Sequence, residues 1–303
     1  MDIAITNVHL DLGAGLRGTD MGPSAIHVAG LIKKLIRQGH SIADIQSIGG
    51  RDFEILLRED NTNVRFLKDI LNVCTELKSA VTQQLQRGQT PLVLGGDHSQ
   101  AIGTISGISN FYKKQGKDIG VIWVDAHTDM NTPESSPSGN IHGMPLATLL
   151  GHGHPDLLAL NGTSPSLKPE NIAIIGARDV DSTEIPLVRE LGVRVYTMSE
   201  IDRRGASTCF REAVYHVGQN TAGIHLSFDL DGIDPKDAPG VGTPVPGGLS
   251  LREAHLICEL IHQSKTLIGM EMVELNPILD ISNRTGELAV WLIQSTFGKQ
   301  ILK

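Results

Sequence analysis

Residues 120 to 131 read GVIWVDAHTDMN, and they combine a buried strand with a set of polar side chains. The first half is apolar on both faces instead of alternating, which is typical of a strand inside a parallel sheet. Asp125, His127 and Asp129 then follow at alternate positions as the strand ends. Because residues two apart leave an extended chain on the same side, Asp125 and His127 can reach one site together. The stretch therefore predicts a buried parallel strand with a binding site at its carboxyl end.

Six further segments repeat the apolar pattern of this strand. The seven predicted strands are Ile3–Val8, Thr90–Leu94, Gly120–Asp125, Asn171–Gly176, Val193–Thr197, Gly223–Asp229 and Leu267–Val273. Apolar residues at helical spacing lie between several of them, at Ser24–Gln38, Asn63–Arg87, Leu251–Gln263 and Gly286–Phe297. Strands that alternate with helices predict an α/β fold whose mostly parallel sheet is covered on both sides. In such sheets, ligands bind beyond the carboxyl ends of the strands.

Polar residues also follow three other predicted strands at their carboxyl ends. His98 lies in GGDHS after the second strand, and Glu274 follows the seventh. Asp229 closes the sixth strand, and Asp231 comes two residues later. Burying so many carboxylates close together without cations would force some of them to hold protons. The sequence therefore predicts bound metal at this edge of the sheet.

Four carboxylates and two imidazoles at these strand ends suit a site with two metal ions. The six candidate ligands are His98, Asp125, His127, Asp129, Asp229 and Asp231. Four carboxylates bring about −4 and two divalent ions bring about +4, so the filled cluster is neutral. A water between the ions loses a proton near neutral pH and becomes a hydroxide nucleophile. The oxygen-rich ligand set favours manganese over zinc, while Fe²⁺, Co²⁺ and Ni²⁺ stay open.

The composition of the chain excludes several classes of protein. The 303 residues are 40% hydrophobic and 20% charged, which suits a globular protein with a substantial core. A formal net charge of −8 argues against nucleic-acid binding, which needs a basic surface. No apolar run is long enough for a membrane span, and no secretory signal is evident. The three cysteines are odd in number and widely spaced. We expect a cytoplasmic protein without a disulfide framework.

Three segments resemble those of the ureohydrolases: GGDHS at 95–99, DAHTDMN at 125–131 and SFDLDGIDP at 227–235. Longer segments are similar to the arginases in particular: GTDMGPSAIHVAGL at 18–31, SPSGNIHGMPLA at 136–147, DAPGVGTPVPGGLS at 237–250 and MVELNPILD at 272–280. The resemblance implies a three-layer αβα fold with a mostly parallel sheet of about eight strands, as one domain over residues 1–303. It also implies a hydrolase that converts L-arginine and water to L-ornithine and urea with two Mn²⁺ per subunit.

The same resemblance assigns roles around the metal ions. It implies one manganese held by His98, Asp125, Asp129 and Asp229, and a second held by Asp125, His127, Asp229 and Asp231. His142, in GNIHG, takes the position of a histidine that shuttles protons. Glu274 takes that of the carboxylate that pairs with the substrate guanidinium. In the implied mechanism, a metal-bridging hydroxide attacks the guanidinium carbon, and Asp129 passes the hydroxide proton to the departing amine.

Contacts to the rest of the substrate follow from the resemblance as well. Four residues match positions that hold the α-carboxylate and α-amino groups of arginine: Asn131, Ser138, Asn140 and Asp181. Thr243 lies in a loop that helps to orient Glu274. The family forms trimers or hexamers, so a homo-oligomer is expected. The chain departs from the family pattern at Gln100, Leu230 and His27, and none of these changes removes a candidate ligand.

Other functions remain open from the residues alone. An amidinohydrolase of the agmatinase or guanidinobutyrase type acts on substrates without an α-carboxylate, and would not need Asn131, Ser138 and Asn140. A deacetylase-like hydrolase shares the fold but usually binds one catalytic metal ion. A non-catalytic relative, which would act only by binding, would have lost ligands, and none is missing here.

Some acidic and basic residues near the motifs are expected to be structural. Asp97 is interpreted as a structural hydrogen-bonding residue rather than a metal ligand, and Asp234, which precedes Pro235, as part of a turn. As an alternative to substrate contact by Asp181, the segment from Arg178 to Asp181 can form a local ion-pair cluster. The histidines of GHGHP at 151–155 are interpreted as part of a solvated turn, because no strand end with acidic neighbours accompanies them.

Overall fold

One parallel β-sheet lies at the centre of the fold. The computed structural model describes residues 1–50, 62–162, 164–300 and 302. Within these residues, eight parallel strands lie in the order β2–β1–β3–β8–β7–β4–β5–β6. The strands are β1 Asp2–His9, β2 Ser41–Gly49, β3 Thr90–Leu94, β4 Asp118–Val124, β5 Ile172–Ile175, β6 Arg194–Tyr196, β7 Thr221–Asp229 and β8 Leu267–Val273. The order places β8, the last strand in sequence, between β3 and β7 in the middle of the sheet.

Helices cover both faces of the sheet. They are α1 Gly22–Val28, α2 Leu31–Arg37, α3 Leu67–Gln86, α4 Ala101–Lys113, α5 Pro145–Leu149, α6 Pro155–Leu158, α7 Ile185–Leu191, α8 Met198–Arg204, α9 Ala206–Gly218, α10 Leu251–Ser264 and α11 Arg284–Thr296. Alternate residues of β4 serve the two faces, since Ile122 and Val124 pack with α9 and α10, whereas Val121 and Trp123 pack with α3 and α4. The expected three-layer αβα fold with about eight parallel strands is therefore confirmed.

The sheet contains one strand that the sequence pattern did not predict. β2 lies at the sheet edge and pairs with β1 along its length. Its sequence SIADIQSIG has isoleucine at every third position, and its side chains alternate between exposed and half-buried up to Ile48, which is buried. An edge strand has a neighbour on one side only, so it tolerates polar residues that a central strand does not. The two-faced apolar pattern used for the other strands therefore misses it.

Two predicted helices have different bounds from those expected. The single helix expected at Ser24–Gln38 is two helices, α1 and α2, which meet at Gly30. Gly30 has a φ of 86°, a left-handed conformation that glycine adopts easily and that ends the first helix. The helix expected at Asn63–Arg87 begins only at Leu67, because Phe66 has a φ of 54° and is outside the helical region.

Helix α4 was not predicted because it is buried on nearly every side. Residues 101 to 109 are all buried, so their sequence AIGTISGIS shows no polar face. Two glycines let α4 lie close to α3. A Cβ at Gly103 would be 2.6 Å from the carbonyl oxygen of Cys74, and one at Gly107 would be 2.8 Å from that of Lys78. This close contact fixes α4 against α3, and with it the turn that carries His98 just before α4.

Candidate metal centre and active site

Five neighbouring strands end at one site. They lie side by side in the sheet as β3, β8, β7, β4 and β5. Asp229 closes β7, and the polar residues that follow the other four are His98 after β3, Glu274 after β8, Asp125 after β4 and Asp181 beyond β5. Because all these strands are parallel, their carboxyl ends meet at the same edge of the sheet. The structure thus brings together the candidate residues that the sequence placed at separate strand ends.

The first group of candidate ligands surrounds His98. Its Nδ1 atom is 3.2 Å from Asp125 Oδ2, 3.1 Å from Asp129 Oδ2 and 3.2 Å from Asp229 Oδ2. None of the three oxygens is aligned for a hydrogen bond to this buried nitrogen. Ligands about 2.1 Å from one metal ion and at right angles to each other lie about 3.0 Å apart. Both the spacing of these atoms and the lack of an aligned hydrogen bond fit donors that bind one cation together.

The second group of candidate ligands surrounds His127. Its Nδ1 atom is 3.2 Å from Asp125 Oδ1 and 3.2 Å from Asp231 Oδ2. Asp125 therefore turns one oxygen toward each group, as a carboxylate that bridges two ions does. Asp229 faces the first group with Oδ2, while its Oδ1 accepts a hydrogen bond from the main-chain N–H of Asp231 at 2.7 Å. Among the described residues, these groups form two adjoining sets of ligand atoms.

The side chains of the cluster shift one another's pKa values strongly. Burial alone would lower the pKa of His98, but three neighbouring carboxylates raise it well above its ordinary value. Burial works against ionisation of Asp125, yet His127 and His98 hold its pKa below the usual range. Asp229 shows the opposite shift, because burial and the charges of Asp231 and Asp125 raise its pKa well above its ordinary value. A donor set of four carboxylates and two imidazoles in this state fits two divalent cations.

Residues inside the sheet hold His98 in place from below. His98 Nε2 lies 2.8 Å from Ser227 Oγ, which donates a hydrogen bond of 2.9 Å to Glu271 Oε1. Glu271 is fully buried, and its Oε1 lies 3.2 Å from His225 Nε2. The His98 ring also stacks on Trp123 with 3.9 Å between centroids. Since Ser227 gives its own proton to Glu271, it accepts from His98 Nε2, which leaves Nδ1 free to bind a cation.

Glu274 links the cluster to His142. Glu274 Oε1 accepts hydrogen bonds from the main-chain N–H of His98 at 2.8 Å and from His142 Nδ1 at 3.1 Å. Burial would lower the pKa of His142, but Glu274 raises it to about 9. Glu274 has a φ of 64°, and Asp129 has a φ of 50°. Such left-handed geometry is uncommon for residues other than glycine and is frequent at functional sites.

A cavity of about 210 Å³ opens beside the cluster. The candidate residues on its wall are His127, Asp129, Asn131, Ser138, Asn140, His142, Asp181, Asp229, Asp231 and Thr243. His98, Asp125 and Glu274 are not on this wall and are buried almost completely. Asn131 Nδ2 donates a hydrogen bond of 2.9 Å to Asp181 Oδ2, which joins the loops after β4 and β5. The cavity wall thus combines metal-ligand candidates with short polar side chains.

Thr243 contacts a candidate ligand and not Glu274 itself. Its Oγ1 donates a hydrogen bond of 2.7 Å to Asp231 Oδ2. The loop that carries Thr243 nevertheless reaches the neighbour of Glu274, because Val241 forms a β-bridge with Leu275. This loop therefore supports both Asp231 and the segment that begins with Glu274.

Glu184 is a site residue that the sequence analysis missed. It is 3% exposed and lines the cavity. Its carboxylate accepts hydrogen bonds of 3.0 Å from the main-chain N–H groups of Met130 and Asp181. Glu184 therefore fixes the two loops that carry Asn131 and Asp181. No motif marks it in the sequence, because its partners are main-chain groups, and the one that ties it to the loop after β4, Met130, is 54 residues away.

Asp97, Asp234 and His154, which the sequence indicates to be structural, accept hydrogen bonds from main-chain N–H groups. Asp97 is fully buried and accepts hydrogen bonds from the N–H of Gly13 at 2.8 Å and from Ser99. Asp234 accepts from the N–H groups of Lys236 and Gly247 in adjacent turns. His154 precedes α6, where its ring accepts from the N–H of Asp156. These contacts agree with roles in turns.

Nearly the whole chain is similar to proteins of known identity. It matches the family model described as the Arginase family over residues 1–298. It is 48% identical over 300 residues to the arginase of Bacillus caldovelox, with 99% of both chains covered. The native structure of that arginase at pH 5.6 superposes with a TM-score of 0.92, again over 99% of both chains. The arginase of Entamoeba histolytica, solved with L-ornithine, is 31% identical and superposes with a TM-score of 0.89 over 99% of this chain and 100% of its own.

Proposed function

Because this chain belongs to the arginase family, a family of hydrolases acting on arginine, we propose that it converts L-arginine and water to L-ornithine and urea at a centre of two divalent cations. The observation that carries the proposal is the pair of His/Asp groups that share Asp125 beside the cavity. The direct test is urea production from L-arginine by protein loaded with Mn²⁺. Absence of urea with every divalent metal between pH 7 and pH 10 would refute it.

The proposed centre takes one cation in each ligand group. His98, Asp125, Asp129 and Asp229 would hold the first, and Asp125, His127, Asp229 and Asp231 the second. We propose Mn²⁺ for both because oxygen ligands predominate, with Fe²⁺, Co²⁺ and Ni²⁺ as alternatives. When bound, two such cations supply Lewis acidity and lower the pKa of water, which suits attack on an unreactive guanidinium carbon.

The chain supplies the proton transfers. Asp129 belongs to the first ligand group and also lies on the cavity wall, so its carboxylate is placed to take up a proton from the attacking water. Asp129 would deliver that proton to the departing amine. His142, on the cavity wall and 19% exposed, would then move protons between the cavity and solvent. Glu274 would bring its negative charge to the guanidinium of the substrate.

The short polar side chains on the cavity wall would hold the amino-acid part of the substrate. Asn131, Ser138 and Asn140 offer short hydrogen-bonding groups for a carboxylate, and Asp181 offers a negative charge for an ammonium. Agmatine and guanidinobutyrate lack the α-carboxylate, so they would leave these hydrogen-bonding groups without a partner. We therefore propose arginine as the substrate, with an agmatinase or guanidinobutyrase activity as the alternative that a substrate panel decides.

Ser138→Ala is expected to lower kcat/KM for L-arginine by about tenfold through a higher KM, because one hydrogen bond to the α-carboxylate is lost. The rate with agmatine should not change, since agmatine has no carboxylate to bind. Steady-state kinetics on both substrates check this. Ser207→Ala, on the exposed side of α9, serves as the control. An equal loss on both substrates would contradict the assignment of Ser138.

Metal binding is expected to depend on pH through the two ligand histidines. The pKa values of His98 and His127 are raised, so their stabilising protons are bound below pH 6.5 and lost as pH rises through the raised pKa. The metal-free protein should therefore lose stability at alkaline pH, while cations that replace these protons bind better there. We expect Mn²⁺ to raise the melting temperature more at pH 9 than at pH 6.5. Calorimetry measures this, and equal increases would contradict it.

The proposal includes a location, an assembly and a domain organisation. No helix in the described part of the chain is long and apolar enough to cross a bilayer. We propose a cytoplasmic enzyme with residues 1–303 as one domain. We also propose a homo-oligomer, trimer or hexamer, which light scattering can measure. Two bound cations per subunit would separate this enzyme from a deacetylase-like hydrolase with one.

A further inference from the structure

Arg178, just beyond β5, binds several loops at once. Six hydrogen bonds run from its guanidinium to main-chain carbonyl oxygens, and none of these acceptors is a side chain. The acceptors belong to Gly176, Asp231, Gly232, Ile233 and Val245. The shortest two, of 2.7 Å, end on Asp231 and Val245. A guanidinium presents its N–H groups in a rigid planar fork, so it fixes the directions as well as the distances of its partners.

The main chain of Arg178 holds the other side of the second ligand group. Its N–H donates a hydrogen bond of 2.8 Å to the carbonyl oxygen of Ala126. Ala126 lies between Asp125 and His127, and its own N–H donates to Asp231 Oδ1 at 3.1 Å. Arg178 therefore touches both the segment with Asp125 and His127 and the segment with Asp231.

The side chain of Arg178 also supports Thr243. Its Nε and Nη2 atoms both donate to the carbonyl oxygen of Val245, two residues after Thr243. Thr243 in turn donates to Asp231 Oδ2, the oxygen that lies 3.2 Å from His127 Nδ1. Arg178 therefore positions Asp231 Oδ2 in two ways. Its guanidinium binds the carbonyl oxygen of Asp231, and it also supports the loop that carries Thr243.

The first ligand group has different supports. His98 is held by Ser227, by the stacked ring of Trp123 and by the carboxylate of Glu274. These contacts come from β4, β7 and β8, not from the loops that Arg178 joins. The two groups share Asp125, and the loops that Arg178 joins reach the first group indirectly, through the β-bridge of Val241 with Leu275 next to Glu274.

We propose that Arg178 is a positioning residue that sets the geometry of the second cation subsite, formed by Asp125, His127 and Asp231, and leaves the first subsite nearly independent. This inference rests on the proposed function, because it assumes two bound cations. The charge of Arg178 acts in the opposite direction, since a guanidinium near a cation repels it. The sign of the effect on metal affinity therefore distinguishes positioning from simple electrostatics.

Two substitutions at Arg178 separate the effect of its planar guanidinium from the effect of its positive charge. Arg178→Lys keeps the positive charge and loses the planar fork, whereas Arg178→Met loses both. Both variants are expected to fold, because the loop with Asp231 and the loop with Val245 stay joined without Arg178. The main-chain N–H of Asp234 donates to the carbonyl oxygen of Leu249, and the Asp234 carboxylate accepts from the N–H of Gly247. Titration with Mn²⁺ alone, followed by metal analysis, should show second-ion affinity lowered about 10- to 100-fold in both variants. The first-ion affinity should stay within about threefold of wild type, as expected for a site with separate supports.

Electron paramagnetic resonance supplies a second readout. Two Mn²⁺ ions about 3.5–4 Å apart couple magnetically. At a Mn²⁺ concentration that just fills both wild-type subsites, the variants should show the six-line signal of an isolated ion. Arg194→Lys is the matched control, because Arg194 pairs with Glu200 and lies over Tyr196 on β6, away from the cluster. It should keep the coupled signal.

Three results would overturn the inference. Tighter binding by Arg178→Met with unchanged binding by Arg178→Lys would show that the charge alone matters. Loss of both ions together would show a general structural role, and unchanged binding of both ions would show no role. The wild-type arm tests the premise separately, because fewer than two ions or no urea production there refutes the proposed function itself.

Discussion

Asp229→Ala should abolish both metal binding and urea production. Asp229 Oδ2 lies 3.2 Å from His98 Nδ1, and its Oδ1 accepts the N–H of Asp231, so the residue joins the two ligand groups. Without its carboxylate the cluster loses a ligand and a unit of charge that balances the cations. We expect Mn²⁺ content near zero after dialysis and kcat lowered by about a thousandfold or more. Metal analysis and a urea assay on the same sample measure both effects.

The conservative variant Asp229→Asn separates loss of metal from loss of fold. Burial and the charges of Asp231 and Asp125 raise the pKa of Asp229 well above its ordinary value. Ionised Asp229 therefore destabilises the metal-free protein increasingly as pH rises, and asparagine removes that charge. The metal-free variant should melt no lower than metal-free wild type at pH 8, yet gain little from Mn²⁺. Asp202→Ala, exposed on α8, controls for a surface aspartate. Wild-type metal content in Asp229→Ala would contradict the assignment of a shared ligand.

His142→Ala should keep the metal and lose most of the rate. Its ring lies on the cavity wall and donates to Glu274 Oε1, and it contacts no atom of the two ligand groups by a hydrogen bond that the described residues show. Removing a proton carrier typically lowers a rate by about a hundred- to ten-thousandfold. We expect kcat to fall within that range while two Mn²⁺ per subunit remain.

A surface histidine provides the comparison for this variant. His216 is exposed on α9, and His216→Ala should match wild type in both rate and metal content. If His142→Ala lost its metal together with its activity, His142 would act by supporting the cluster through Glu274. If its rate stayed near wild type, a different group would carry the proton.

The candidate ligands were accessible from sequence because they depend on local geometry. Asp125 and His127 follow one apolar strand at alternate positions, and so do Asp229 and Asp231 at the end of another. A parallel sheet then brings their carboxyl ends to one edge whatever the order of the strands. Local pattern and a general rule of topology were enough for this part of the site.

The supports of these ligands depend on strand order, which the sequence pattern does not reveal. Ser227 and Glu271 face each other because β7 and β8 are neighbours in register. Both lie inside strands that read as uniformly buried, so nothing local pairs them. A local ion-pair cluster is one alternative that the sequence leaves open for Arg178; in the structure its guanidinium donates to the main-chain carbonyls of Asp231 and Val245, more than fifty residues away. Contacts between segments so far apart in sequence become visible only in the three-dimensional structure.

Because β8 lies between β3 and β7, the middle of the sheet cannot form before β8 has been made. β3 and β7 are both made before β8, yet each needs β8 as its partner in the middle of the sheet. During translation these two strands therefore present unpaired edges that can join other chains and aggregate. Insertion of β8 closes this gap and places Glu274 beside His98, so the surroundings of the cluster are complete only after β8 has been made. Chaperone binding in that interval should influence the yield of active enzyme.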